Sequence, residues 1–250
     1  MSETLFRRIE EASLNAWPAP QQIIYDGWLL RLAGGYTRRA NSVNPLYASS
    51  LPLDEKLAFC REFYAARHLP LVVRMTEHME PGLDDRLAAL GYTKSAETLV
   101  MVCELATIAA TGADHLMVID DLDEWMHVFH PLSGTLPGTT DSHLAILRAI
   151  TGRAFPVLLT GDNGGPVTAG MGVLEGRLFG LFDIVTIRAE RGKGYGTRLV
   201  AGLLDIARQQ GAQHAYLQVM TNNNAALHVY HKLGFTDAYR YWYRNPPEQG

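Results

Sequence analysis

The sequence predicts a mixed α/β chain built from two related halves. Three observations carry that reading: an internal echo, the alternation of strand-like and helix-like stretches in each copy, and a glycine loop between strand and helix in the second copy only. Residues 71 to 93, "LVVRMTEHMEPGLDDRLAALGYT", and residues 216 to 236, "YLQVMTNNNAALHVYHKLGFT", share one order: strand, Met-Thr, polar turn, short helix, then Leu-Gly-aromatic-Thr. A helix-like stretch precedes each ("DEKLAFCREFYAARH" and "TRLVAGLLDIARQQG"), and a β-rich stretch follows each ("SAETLVMVCEL" and "DAYRYWYRN"). A matched order of this kind is the mark of a repeated unit. It divides the chain into residues 1–107 and 114–250, with the small residues of "ATIAATGA" (106 to 113) as the linker.

Along the second half, "HLMVID" reads as a strand, and Asp121 followed by Glu124 starts the helix "LDEWMHVFH" with a capping pattern. "DSHLAILRAI" is a second helix. "AFPVLLT", "VTAGMGVLEG" and "RLFGLFDIVT" are strands, the first two joined through the turn "GDNGGP". Leu199, Val200, Leu203, Leu204, Ile206 and Ala207 then recur with helical period, and Gly211 closes that helix. The strand "AYLQVM", a helix over about 223 to 233 and a final strand complete the half.

Bulk properties narrow the classes of function. The chain has 250 residues, 47% apolar and 19% charged, as in an ordinary globular protein. No apolar run reaches the ~18 residues of a membrane span, and the N-terminus "MSETLFRRIEEASLNAW", with acidic residues and no apolar core, argues against a secretory leader. Cys60 and Cys103 are widely spaced, which gives neither a disulfide framework nor a CxxC site and fits a reducing cytoplasm. A net charge of −4 argues against general nucleic-acid binding. No heptad repeat announces an oligomer interface.

One stretch stands apart from that acidic background. Residues 188 to 198, "RAERGKGYGTR", set Gly192, Gly194 and Gly196 among Arg188, Arg191, Lys193 and Arg198. A strand, then glycines and cations, then a helix N-terminus is a recipe for holding phosphate, because free N–H groups and the positive end of the helix dipole point at the anion. A P-loop is disfavoured, since Lys193 is followed by Gly194 rather than Ser or Thr. A dinucleotide fingerprint is disfavoured as well. Position 197 is Thr, the motif lies late in the chain, and "YLQVM" offers no acid for a ribose.

Residues Arg191 to Gly196 resemble the [QR]xxGx[GA] loop of the GNAT acyltransferase superfamily. Downstream, "NNAALHVYHKLGF" is similar to the family's second signature through Asn223, Ala226, Tyr230, Gly234 and Phe235. The match covers roughly residues 114 to 243, and the two motifs agree in order and spacing. It departs from the usual pattern at Arg188, where many relatives carry proline. The resemblance implies two GNAT-like domains, each a mixed, largely antiparallel sheet flanked by helices, and an N-acetyltransferase that uses acetyl-CoA. It also implies that amides of Arg191, Gly192, Lys193, Gly194, Tyr195 and Gly196 grip the CoA pyrophosphate. Ile184, Val185 and Thr186 would line the pantetheine arm, Asn223 would touch the cofactor, and Tyr230 would donate to the departing thiolate.

The chemistry asks for such parts. A thioester is already activated, so transfer to an amine needs positioning, an oxyanion donor and proton handling. A phenol of pKa about 10 cannot protonate a thiolate of about 8.5 downhill, so Tyr230 would act through a hydrogen bond as charge develops. Blander roles stand beside these: Tyr230 as a packing tyrosine, Asn223 as a helix cap, the glycines as a plain turn. The general base is open among Asp183, Glu175, His130 and a chain of waters. His127 and His130, with His143 beyond, have no third clear partner for zinc and read as surface or packing residues.

The first half reads as a copy that has lost its chemistry. It has "SSLPLDEK" where the glycine loop belongs and Leu87 where Tyr230 stands, so it is not expected to bind CoA. "TRRANS", with Arg38 and Arg39, is a turn and strand edge, a contact for an anionic acceptor, or a contact for the other end of the cofactor; the acceptor is expected near the junction of the halves. The acceptor is expected to be an amine on a small molecule or peptide N-terminus. A non-catalytic acyl-CoA-binding regulator is the alternative, and Tyr230 speaks against it.

Overall fold

A computed structural model describes residues 2–109, 116–134 and 138–247. The first half runs α1 (Glu3–Ala16), β1 (Gln21–Tyr25), β2 (Trp28–Leu32), β3 (Val43–Pro45), α2 (Leu53–Ala65), β4 (Val73–Thr76), α3 (Leu83–Ala89) and β5 (Thr93–Glu104). The second runs β6 (Leu116–Val118), α4 (Leu122–Ser133), α5 (Thr140–Arg148), β7 (Arg153–Thr160), β8 (Pro166–Glu175), β9 (Leu178–Thr186), α6 (Tyr195–Gln209), β10 (His214–Met220), α7 (Asn224–Lys232) and β11 (Thr236–Asn245). The expected linker lies, from residue 110 onward, outside the described residues.

Local chemistry places these elements where the sequence puts them. The Asp121 carboxylate accepts from the N–H groups of Asp123 and Glu124, capping α4. Gly211, at φ +78, ends α6 in the left-handed conformation that a side chain disfavours. Asn223 caps α7 by accepting from Ala226 N at 3.2 Å.

All the strands join one 11-stranded sheet in the order β1-β2-β3-β4-β11-β5-β10-β9-β8-β7-β6. Eight of the ten pairings are antiparallel; β3 with β4 and β10 with β9 are parallel. Where a sheet for each half is the expectation, the structure has a shared one, because the final strands are exchanged. The first half's β5 pairs with β10, and the second half's β11 pairs with β4. β5 and β11 then pair with each other at the centre. Outward from that seam the order β4-β3-β2-β1 matches β10-β9-β8-β7, parallel pair for parallel pair.

The sheet separates its cores. Over the second half, α6 and α7 cover one face through Leu199, Val200, Leu203 and Tyr230, packed on Leu181, Leu217 and Val219. The opposite face carries α4 and α5, and also α1 from the first half, around Trp17, Trp125, Phe129, Phe182 and Tyr216. A third core lies under α2 and α3. The first half thus lends both a strand and a helix to the second.

Candidate active site

The site begins where β9 and β10 part. Their parallel pairing runs from Leu178↔His214 to Leu181↔Leu217 and stops, although β9 continues to Thr186 and β10 to Met220. Beyond that point β9 is held only by β8 and β10 only by β5. One edge of each strand is therefore left without a strand partner, and unpaired N–H and C=O groups invite a ligand to pair with them.

A β-bulge sits at the same place. Phe182 opposes Met171 and Val185 opposes Ala169, so Asp183 and Ile184 together face Gly170. Asp183 takes φ +52, an uncommon conformation for a residue with a side chain. A Cβ at Gly170 would lie 2.7 Å from Ile184 Cδ1 and 2.7 Å from Leu199 Cδ2, so glycine opposite the bulge is what lets that packing close. Bulges of this kind re-aim side chains and end pairing.

Past the open segment, Ile187 N donates to Val167 O at 2.9 Å and Arg191 Nε donates to Thr186 O at 3.1 Å, fixing the base of the glycine loop. Gly192 and Gly194 lie at φ +78 and +85. Nothing comes within 4 Å of a Cβ built on either, so they are glycine for backbone conformation and face open space. Gly194 is the N-cap of α6, and no side chain caps that helix. Gly196, inside the first turn, has only Thr186 Oγ1 near its Cβ position, at 3.5 Å. Lys193 pairs with Glu190 at 3.0 Å, while Arg191 and Arg198 are exposed. The loop offers uncapped N–H groups in a positive surround, which suits a pyrophosphate.

Tyr230 is buried on the α6/α7 face of the sheet, its ring edge-on to Phe235 with centroids 5.9 Å apart. Burial alone pushes its phenol up to about 12, so it holds its proton across the physiological range. Asn223 is exposed and spends its side chain on the cap; a cap and a ligand contact are compatible uses of one amide.

On the opposite face the halves meet in a polar chain that the sequence reading did not join. His143 on α5 is fully buried, boxed by Trp17, Tyr36 and Phe129. Its Nε2 donates to Asp183 Oδ2 at 2.8 Å, and its Nδ1 lies 3.1 Å from the Tyr36 hydroxyl. Burial, and then the charge of Asp183, push the Tyr36 phenol well above its usual value. Of the three candidate bases, only Asp183 sits at the opening. Glu175 is at the far end of β8, where it accepts from Asn15 Nδ2 at 3.0 Å. His130 lies on α4 with a buried Nε2 that has no hydrogen-bond partner among the described residues, and burial together with His143 lowers its pKa. No group of three or more His, Cys, Asp or Glu among the described residues could hold a metal ion.

The loop carrying Tyr36 is pinned by Asn41. Its Oδ1 accepts from the N–H groups of Ala33 (2.8 Å) and Gly35 (3.0 Å), and its Nδ2 donates to the carbonyls of Tyr36 (2.8 Å) and Thr37 (2.9 Å). Buried Arg31 adds a second clamp, donating to the carbonyls of Arg39 (2.8 Å), Leu14 (3.1 Å) and Trp17. Neither residue stood out in the reading above. The signal was present in "WLLRL", where an arginine interrupts an apolar strand and must find acceptors.

The family model described as "Probable histone acetyltransferase Rv0428c C-terminal" matches residues 4–244, nearly the whole chain. The chain belongs to this family. It is similar to "Uncharacterized N-acetyltransferase YobR" of Bacillus subtilis (strain 168), with 29% identity over 243 residues, 95% of this chain and 97% of that protein. Its fold resembles a GCN5-related N-acetyltransferase from Kribbella flavida, with TM-score 0.73 and 17% identity over 97% of this chain and 96% of the other. A tandem GNAT protein from the clavulanic acid biosynthesis pathway aligns at TM-score 0.59 and 17% identity, over 89% and 79% of the two chains. The chain is an acyl-CoA-dependent N-acetyltransferase of GNAT type.

Proposed function

We propose that the enzyme moves an acetyl group from acetyl-CoA directly to a primary amine, with the chemistry carried by residues 114–250. The observation that carries this is a coincidence of position: the opening between β9 and β10 leads from the Asp183 bulge straight to the uncapped N-terminus of α6. A long thin cofactor with a pyrophosphate is the ligand that uses both. Amides from Arg191 to Gly196 hold the pyrophosphate, with Asn223 beside it. The free edge at Ile184, Val185 and Thr186 pairs with the pantetheine amides and presents an N–H to the thioester oxygen.

The amine enters from the α1/α4 face. As its nitrogen attacks the carbonyl carbon, its proton passes to the Tyr36 oxygen while the Tyr36 hydroxyl proton moves to His143 Nδ1. Asp183 holds the ring tautomer and stabilises the imidazolium, the part an aspartate plays beside histidine in hydrolases. The C–S bond then breaks, the Tyr230 hydroxyl donates a hydrogen bond to the departing thiolate, and the thiolate leaves to take its proton from solvent.

The first half, residues 1–107, supplies Tyr36 and no second cofactor site. Pro52 stands at the start of α2 where Gly194 stands at α6, and Leu87 is buried in α3 where Tyr230 lies in α7. Cys60 and Cys103 are free and buried, which accords with a reducing cytoplasm.

Calorimetric titration of the whole chain with acetyl-CoA, and with CoA for comparison, tests this. One micromolar site per chain is the expected result. Two sites would refute an empty first half, and no binding of either ligand would overturn the acetyl-CoA reading.

A further inference from the structure

The side chain of Arg39 has no task in the reaction described above, and its surroundings are unusual. The guanidinium stands over the point where the strands part. Leu181 and Leu217 are the last paired residues, and the next on each strand are Phe182 and Gln218. Arg39 Cζ lies 5.9 Å from the Phe182 ring centroid and 4.6 Å from that of Trp17, and its NH1 reaches Gln218 Oε1 only at 3.5 Å. Gln218 Oε1 already accepts from the Tyr241 hydroxyl at 3.0 Å. Phe182 belongs to the core of the α1/α4 face, the face opposite Tyr230. The cation therefore stands on the acceptor's side of the opening.

Its charge is also uncompensated. Among the described residues Arg39 makes no ion pair, whereas Arg74, Arg148, Arg208, Arg240 and Arg244 each have a carboxylate. The nearby acid, Asp183, is committed to His143. The backbone beneath Arg39 is rigid, because its carbonyl takes Arg31 and its loop is pinned by Asn41. A guanidinium laid on aromatic rings, half-buried and preorganised, keeps its forked N–H edge for a planar anion.

We propose that Arg39 is the carboxylate subsite of the acceptor pocket and that the acceptor is a free α-amino acid. The inference rests on the acyl-transfer reading and narrows its substrate. Phe182 precedes Asp183 and Ile184 directly, so a group bound over Phe182 is only a few strand residues, at about 3.3 Å each, from the free edge that takes the thioester. The amine and the carboxylate must then be close neighbours in one small molecule. The same cation disfavours polyamines, which would bring like charge to it.

The test follows CoA release from acetyl-CoA with the full chain. The acceptors are the common amino acids, each beside its α-carboxamide, and the calorimetric acetyl-CoA titration is run alongside. The best amino acid is expected to exceed its carboxamide about 10²-fold or more in kcat/KM, the scale of a desolvated charge pair. Arg39→Gln is expected to erase that preference, mainly through KM for the acid, and Arg39→Lys to restore part of it. A purely structural role would lower acid and carboxamide together and leave their ratio intact, which would overturn the inference. Equal turnover of acids and carboxamides would do the same, as would reaction only with carboxamides that carry acidic side chains. Acetyl-CoA binding with no amino acid acetylated would overturn the subsite while sparing the transferase. Absence of acetyl-CoA binding would remove both.

Discussion

His143 Nε2 donates to Asp183 Oδ2 at 2.8 Å, tying helix α5 to the bulge at which β9 leaves β10. The contact spans 40 residues of sequence, and the next link, from His143 to Tyr36, spans 107 and crosses between the halves. Asp183→Asn keeps the shape but presents an amide that no longer stabilises an imidazolium. Its kcat is expected to fall about 10²-fold or more, with acetyl-CoA affinity within a few-fold of the parent. Steady-state kinetics paired with calorimetry check this; a variant with undiminished kcat would remove the chain from the mechanism.

Tyr230→Phe separates hydrogen bonding to the thiolate from packing. The ring and its edge-on contact with Phe235 are retained, and only the hydroxyl is lost. Expected are a kcat reduced about 10²-fold and unchanged acetyl-CoA binding. Because burial pushes the phenol up to about 12, the parent should show no loss of activity from Tyr230 ionisation below pH 10. A kcat equal to the parent's would leave Tyr230 a packing residue.

The glycine loop allows stability and binding to be moved in opposite directions. Gly196 lies in the first turn of α6 with only an ordinary contact at its Cβ position, so Gly196→Ala should stabilise the fold by up to about 1 kcal/mol. If the pyrophosphate lies against that backbone, the added methyl displaces it and acetyl-CoA binding weakens at least tenfold. Gly194→Ala differs: at φ +85 it costs about 1–2 kcal/mol through backbone conformation alone. Thermal melts and calorimetry on both variants decide, and Gly196→Ala binding acetyl-CoA normally would argue against the loop as the phosphate site.

These contrasts also mark what the sequence could disclose. Gly192, Gly194, Asp121 and Gly211 were legible because each answers a local demand, either φ above zero or an uncapped N–H. Asp183 was legible as a candidate base, His143 only as a surface or packing residue and Tyr36 not at all, since only the folded sheet brings the three within hydrogen-bond reach. The repeat announced which elements exist but not their partners. β5 and β11 each follow a short helix and a Leu-Gly-aromatic turn, and either could have closed against β4 or β10 with the same backbone groups.

A buried ion pair under the seam gives the fold an acid limit. Arg74 on β4 donates to Glu10 on α1 at 2.6 and 3.0 Å, and the Tyr239 hydroxyl on β11 donates to the same carboxylate. Burial raises the Glu10 pKa, but Arg74, Tyr239 and Arg31 together outweigh it and hold the group below its ordinary 4.5. A carboxyl depressed on folding contributes stability above its unfolded value, and that contribution disappears as pH falls through the folded value. Stability should therefore decline from about pH 4.5 downward. Glu10→Gln should cost about 3–5 kcal/mol at pH 7, by stranding Arg74, and should flatten the acid decline. Urea titrations at pH 7, 4.5 and 3.5 measure both; an acid slope as steep in Glu10→Gln as in the parent would assign the acid limit elsewhere.

The pairing of β5 with β10 and of β11 with β4 predicts that residues 114–250 are not an autonomous unit. Residues 114–250 alone lack β5, whose 12 residues fill the space between β10 and β11 with hydrogen bonds on both sides. Without it both strands present bare edges at the centre of the sheet, and the α1 side of the Trp125 and Phe182 core is uncovered. Bare central edges recruit strands from other chains. The fragment should therefore aggregate or form exchanged dimers rather than a folded monomer, as seen by light scattering. Co-expression with residues 1–113 should restore a one-to-one complex that binds acetyl-CoA. A monomeric 114–250 with parental acetyl-CoA affinity would show that the shared sheet is dispensable to cofactor binding, and a parental kcat in that fragment would return Tyr36 to a structural role.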